Sequence, residues 1–295
     1  MKKLFFLGWT AVSFTAFAQV PITVAESTQL MSKDTQPAFM VTIPQTTRKE
    51  IEKDWLKYVG IGIKGKTTVT NGENIQMGAV YKNISPSPYT VYSKVVETVD
   101  GVHLTAWFTE NDKVFFTKSI NNDQGLAIEK YLRDFAVAEY QDAVKEELRV
   151  EQNKLKTLEK QLGNDINATE KSGKRMDNNN RSIEKRTDKM ATNSADIDHA
   201  NGKINNQKEM VNQTAADANA NRGAKQTLKE DQREKQRLQN SNVSESKNID
   251  AANKSSRTEE RNTATLKEME ISKTEQIAQQ KLKVQAVQEK LNNIK

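Results

Sequence analysis

Few residues in this chain are spaced for chemistry. The clearest candidate is Gly60-Ile61-Gly62-Ile63-Lys64-Gly65-Lys66-Thr67, which matches the phosphate-loop expression GxxxxGK[ST] letter for letter. In a nucleotide site that loop follows a buried strand and opens a helix, so that backbone N–H groups cradle phosphate. Here the order is inverted: a helical pattern precedes the loop, and TTVTNG, which suits a strand and a turn, follows it. No apolar strand ends in an Asp suited to magnesium. The stretch is expected to be a Gly/Lys-rich connector. His103 and His199 are the only histidines, one in a strand pattern and one in a helical pattern, so no shared site is expected. With no Cys there is no thiol nucleophile, thiolate metal site or disulfide, and no Ser-His-Asp arrangement is legible. Glu110 and Asp112 fall where turn formers belong. Trp107, Phe108, Phe115 and Phe116 alternate faces as sheet core does. No catalytic, cofactor-binding or metal-ligating residue is assigned, and no cofactor is expected.

Those residues sit on short elements with clear punctuation. PAFMVTIP (37–44) reads as a strand bracketed by prolines, after a weakly patterned leader or edge strand over 19–35. Thr46-Thr47 followed by Glu50 resembles a capping box, and Ile51, Trp55 and Tyr58 give one apolar face to a helix over 46–59. Strands are then expected over 66–70, 75–82, 89–99, 102–109 and 114–118. Asn71-Gly72 and Asp100-Gly101 mark hairpins, and Ser85-Pro86-Ser87-Pro88 marks a loop. The expected fold class is an α+β head, an antiparallel sheet with a helix on one face, over 19–122.

From 123 to 295 the chain contains no Pro and reads as a long α-helical coiled coil. Leu155, Leu162, Met176, Ile183, Met190, Ile197, Ile204, Val211 and Ala218 recur every seventh position, with Thr169 the one interruption. The companion positions are mostly polar: Asp165, Ser172, Asn179, Arg186, Asn193, Gln207 and Thr214. A half-wet seam follows. A second register carries Leu228, Asn242, Ile249, Ile277, Val284 and Leu291, with Leu238, Ala252, Leu266, Val287 and Ile294 beside it. Between the registers lies Ala220-Asn221-Arg222-Gly223, where Asn and Gly could leave a helix through the left-handed region. An antiparallel hairpin turning near 220–224 is expected. It would pair Leu155 with Leu291, Leu162 with Val284, Ile197 with Ile249 and Ala218 with Leu228. The first helical turns, with Leu126, Ile128, Tyr131, Leu132, Phe135, Val137 and Tyr140, are apolar enough to pack on the sheet, and the helix is expected to leave the head near Leu148.

The address comes from the N-terminus. Met1-Lys2-Lys3, an apolar run from Leu4 to Phe17 and Ala16-Phe17-Ala18 form a signal peptide over 1–18, cleaved before Gln19. Removing Lys2 and Lys3 lowers the formal net charge from +6 to +4. An exported protein in periplasm or medium is expected, soluble, with no transmembrane segment after cleavage and no lipid anchor, since a lipobox needs Cys. Acidic and basic residues interleave along the helix, so a solvated face is expected and nucleic acid is not.

The order VTIP, TTRKEIEKDWLKYVG, YTVYSKVVETVDGVHLTAWF and LRDFAVAEYQDAVKEELRVEQNKLKTLEKQL resembles an uncharacterised family of small secreted bacterial proteins over about 39–162. The resemblance implies an exported bacterial origin and a head followed by a long helical segment. It implies no activity. The leading expectation is a structural or interaction protein, a head on a coiled-coil stalk, whose partners are other proteins or a second copy through the coiled coil. An envelope holdase chaperone with helical tentacles comes second by analogy, and an enzyme in the head last.

Overall fold

The computed structural model describes residues 21–61 and 67–295. The segment 1–18, expected to be a signal peptide, and the centre of the phosphate-loop match, Gly62 to Lys66, lie outside the described residues. The elements are β1 (Val24–Met31), β2 (Asp34–Ile43), α1 (Arg48–Val59), β3 (Thr67–Thr70), β4 (Glu73–Ala79), β5 (Tyr89–Thr98), β6 (Gly101–Thr109), α2 (Asn122–Gln213) and α3 (Ala218–Asn293). The strands form one antiparallel sheet in the order β1-β2-β6-β5-β4-β3. Two compact units result: one reaches to Lys154 and takes in Gln280–Lys295, and the other is Leu155–Gln279.

Local chemistry accounts for the elements of the first unit. Thr47 caps α1: its side chain accepts from the Glu50 N–H, and the Glu50 carboxylate accepts from the Thr47 N–H at 3.1 Å, a complete capping box. Asn71 and Gly72 both have positive φ, 52° and 77°, as a two-residue hairpin requires. At Gly101 φ is 140°, and a Cβ there would lie 2.5 Å from the Ile43 carbonyl oxygen, so only glycine fits where β6 starts against β2. The strand expected over 114–118 does not form. Asn111 and Thr109 side chains take the turn's backbone groups instead, leaving a single bridge between Thr109 and Phe115.

Period-two alternation divides the sheet residues between two faces. On one, Phe39, Val41, Val95, Leu104 and Phe108 meet Ile51, Trp55 and Val59 of α1. Ile128, Leu132, Phe135, Tyr140 and Val144 of α2 complete that core, joined by Val287 of α3 and by Ile294 just beyond it. Trp55 is fully buried, with its ring centroid 5.1 Å from that of Phe135. Tyr58 and Tyr131 each donate to the other's backbone carbonyl, at 3.4 and 3.2 Å, which ties α1 to α2. Burial pushes the Tyr58 hydroxyl up to about 12, with Asp134 and Tyr81 adding to it, and raises Tyr131 as well.

In the second unit, the shielded positions of α2 run 155, 158, 162, 165, 169, 172, 176, 179, 183, 186, 190, 193, 197, 200, 204, 207 and 211, steps of three and four that average 3.5. On α3 the corresponding row runs 221, 224, 228, 231, 235, 238, 242, 245, 249, 252, 256, 259, 263, 266, 270, 273 and 277. The seven-residue rows in the sequence are therefore the shielded rows, with the exception of exposed Ala218.

The link between the helices is 214–217, which corrects the turn expected near 220–224. Asp217 caps the start of α3. Its Oδ1 accepts from the Asn219 and Ala220 N–H groups at 3.0 and 3.2 Å, satisfying two donors that a helix start leaves open. Asn221 lies in the first turns of α3 and donates Nδ2 to the Val211 carbonyl at 2.7 Å. Gly223 is helical, and no residue of 214–217 has positive φ. The expected turn rested on glycine's left-handed freedom, whereas an aspartate side chain caps the helix start instead. Two of the expected pairs fail for the same reason. Ala218 and Leu228 share α3, and Asn193 bonds to Ser241 and Asn242, so Ile197, one turn later, lies about three turns along the seam from Ile249.

Candidate functional site

Polar side chains converge in each unit. In the first, β2, β6 and β5 separate β1 from β4 in the sheet, yet the β1–β2 tip reaches Glu73 at the start of β4. Ser32 donates its N–H to Glu73 Oε1 at 2.7 Å and its hydroxyl to Oε2 at 2.6 Å, and Glu73 is only 4% exposed. Lys33 bonds to Asp112 Oδ2 at 2.6 Å, and Asp112 Oδ1 accepts the Tyr92 hydroxyl at 2.9 Å. The Lys33 ammonium also stands 5.0 Å from the Tyr92 ring centroid. Beneath the tip lie Met31, Ala38, Ile75, Tyr92, Trp107 and Phe115, the core of the face turned away from α1. The Trp107 Nε1–H is buried without a hydrogen-bond partner among the described residues.

Chemically this is a clasp. Both oxygens of Glu73 are occupied by Ser32, and both oxygens of Asp112 by Lys33 and Tyr92. Carboxylates bonded through both oxygens fix the positions of the groups that donate to them. The Lys33 hydrogen bond holds the Asp112 carboxyl below its ordinary range against desolvation, with the Tyr92 hydrogen bond adding to it. A carboxylate shifted upward lies elsewhere in this unit. Glu139 on α2 is half-buried, and burial, then Asp54 of α1 with Asp142 and Glu50, raises its carboxyl to about 7, Lys57 alone opposing them.

The residues singled out in the sequence do not assemble. His103 lies in β6 with its Nε2 3.4 Å from Asp100, and exposed His199 lies on α2 in the other unit. Glu110 accepts the Ser85 hydroxyl at 2.8 Å. Asp112 is in a turn with φ 63°, as expected, but also anchors the clasp. Trp107 and Phe115 fall on one sheet face and Phe108 and Phe116 on the other.

The second convergence is the seam between α2 and α3 in Leu155–Gln279. Buried Ser172 donates to Glu259 Oε2 at 2.6 Å, and Arg175 grips the same carboxylate through Nε and Nη2 at 2.7 and 2.8 Å. Buried Glu245 accepts from Arg186 at 2.5 Å and Lys189 at 2.7 Å. Asn193 donates to Ser241 and Asn242, Asn179 to Ser255, and Thr169 to Glu270. Lys273 and Asp165 close a further layer. In every pair one number rises as the other falls, so the helices run antiparallel here. Arg175, then Ser172, pulls the Glu259 carboxyl down to about 2, and Lys189 with Arg186 lowers Glu245.

Sequence reasoning missed Ser32, Lys33, Glu73 and Tyr92, because nothing local relates a hairpin tip to a residue three strands away. Glu245 and Glu259 were within reach: continuing the seven-residue count from Leu238 and Ala252 lands on both. Comparison with models of known protein families and with curated proteins returns no match. The class defined by these observations is an antiparallel α+β unit combined with a long pair of helices.

Proposed function

We propose that this is an exported structural or interaction protein that combines a small α+β unit with an antiparallel coiled-coil hairpin, and that it works by binding rather than catalysis. The seam carries the reading. Apolar layers alone would allow α2 and α3 to slide by a heptad, whereas Ser172–Glu259–Arg175, Arg186–Glu245–Lys189 and Asn193–Ser241–Asn242 each have partners in one register. Polar layers at seam positions lower stability in exchange for a defined register. A defined register keeps the outward residues in fixed rows, which a specific binding surface needs. In the sheet unit, the carboxylates with the most elaborate settings, Glu73 and Asp112, use their oxygens to pin a hairpin.

Photo-crosslinking residues placed at exposed positions of 160–210 and 225–275, in protein produced by intact cells, test this reading. Discrete protein adducts from one face of the helix pair are expected. Adducts confined to the sheet unit, or turnover of a small molecule by the purified chain, would overturn it.

A further inference from the structure

The two open sides of the helix pair differ in charge. Along α2, Glu170, Asp177 and Glu184 recur every seven residues, all exposed. Lys171 and Lys185 occupy the next position round the helix, about 100° away, with Asn178 between them. The seam row bisects the remaining arc, so the two rows flank it on opposite sides. The hydrogen bonds fix which side of α3 each row meets. Arg175 and Lys189, on the Lys185 side, reach Glu259 and Glu245, and Asn179 reaches Ser255. Ser194, on the Glu184 side, accepts from Asn242.

The basic side is a shallow groove lined by Asn178, Arg181, Ser182, Lys185, Arg186 and Lys189, with buried Glu245 at its floor. Glu245 is committed to Arg186 and Lys189, while Lys171, Arg181 and Lys185 are exposed and make no ion pair among the described residues. From α3 this side receives Asn248, Ser255, Thr258 and Asn262, donors and acceptors with no exposed carboxylate among them. From α3 the acidic side receives Asp250 and Glu260, with Arg257 the one cation between them.

We propose that this groove docks the acidic side of a second copy of the chain, so that helix pairs associate side by side. The charge rows supply the argument. Acidic residues at 170, 177 and 184 on one side meet cations at 171, 181 and 185 on the other, and neither set makes an ion pair among the described residues. Because the two surfaces lie on different sides of one molecule, the contact is heterologous and leaves a free surface of each kind after every addition. Association therefore grows with concentration instead of stopping at a dimer. Exposed pairs are individually weak and screened over about 8 Å at physiological salt, so association is salt-sensitive. The proposal rests on the coiled-coil hairpin reading above.

The test is light scattering of the purified full chain at low salt and at roughly 0.5 M salt, where screening falls to a few ångströms. Expected is a weight-average mass that climbs with concentration to more than about twice the monomer at low salt and returns to the monomer at high salt. Glu170→Lys/Asp177→Lys/Glu184→Lys and Lys171→Glu/Arg181→Glu/Lys185→Glu should each stay monomeric alone, because both sides then carry one sign. Mixed in equal amounts they should associate again. A wild-type chain monomeric at every concentration overturns the proposal, as does association indifferent to salt and to both triple variants. A monomer whose groove binds heparin, with binding lost in the Lys171/Arg181/Lys185 variant, would assign the groove to a polyanion and overturn self-docking. Asn179→Cys/Ser255→Cys in the same chain separates the two readings. Intrachain oxidation in a monomeric protein defeats self-docking alone, and failure to oxidise defeats the hairpin as well.

Discussion

Gly223→Ala and Asp217→Ala should act in opposite directions at the end of the helix pair near 214–217. Gly223 is helical, its φ is not positive, and an added Cβ would meet nothing within 4 Å. Alanine there removes backbone freedom from the unfolded chain without strain and should stabilise the local helix by about 0.5–1 kcal/mol. Asp217 accepts from two N–H groups at the start of α3, and its truncation should cost about 1 kcal/mol. A chain with two compact units is not one two-state system, so the assay is native-state amide hydrogen exchange over 205–230. Each change of ~1 kcal/mol is roughly a fivefold change in protection. Protection should rise for Gly223→Ala, fall for Asp217→Ala and stay constant in the sheet. A loss of protection with Gly223→Ala would place a left-handed turn at that glycine and refute the aspartate-capped link.

Further outcomes follow from the same contacts. Glu139→Gln should flatten the pH dependence of the sheet unit: a carboxyl raised to about 7 when folded lets stability fall as pH rises from its ordinary range through about 7. Screening of the half-exposed group limits the effect to about 1 kcal/mol, read from denaturant melts of that unit at pH 5 and pH 8. The helix seam should respond in the opposite sense, because Glu259 and Glu245 are lowered. Its stability is present above the ordinary carboxylate range and is lost on acidification towards about 2, which circular dichroism of the long helices would register. Trp55→Ala should cost the sheet unit about 3–5 kcal/mol, measured by its tyrosine and tryptophan signals, since the side chain is fully buried among Tyr58, Tyr131 and Phe135. Mass spectrometry of exported protein should show an N-terminus at Gln19, and a retained 1–18 segment would refute the assigned address.

Most of the local structure was legible because it is set by neighbours in the chain. Thr47 and Glu50 announce α1, Asn71-Gly72 announces a hairpin, and the heptads of Leu155 to Val211 and Leu228 to Leu291 mark shielded rows, because a helix repeats its faces every 3.5–3.6 residues whatever it packs against. Tertiary structure decided what those periods leave degenerate. Two heptad rows match at many offsets, and only the pairing of Glu259 with Arg175 and Ser172, and of Glu245 with Arg186 and Lys189, selects one. That register moves the link to 214–217, where an aspartate side chain does the capping. The clasp of Ser32 on Glu73 and of Lys33 and Tyr92 on Asp112 was equally out of reach, since it depends on how far a twisted sheet carries a hairpin tip across its own face.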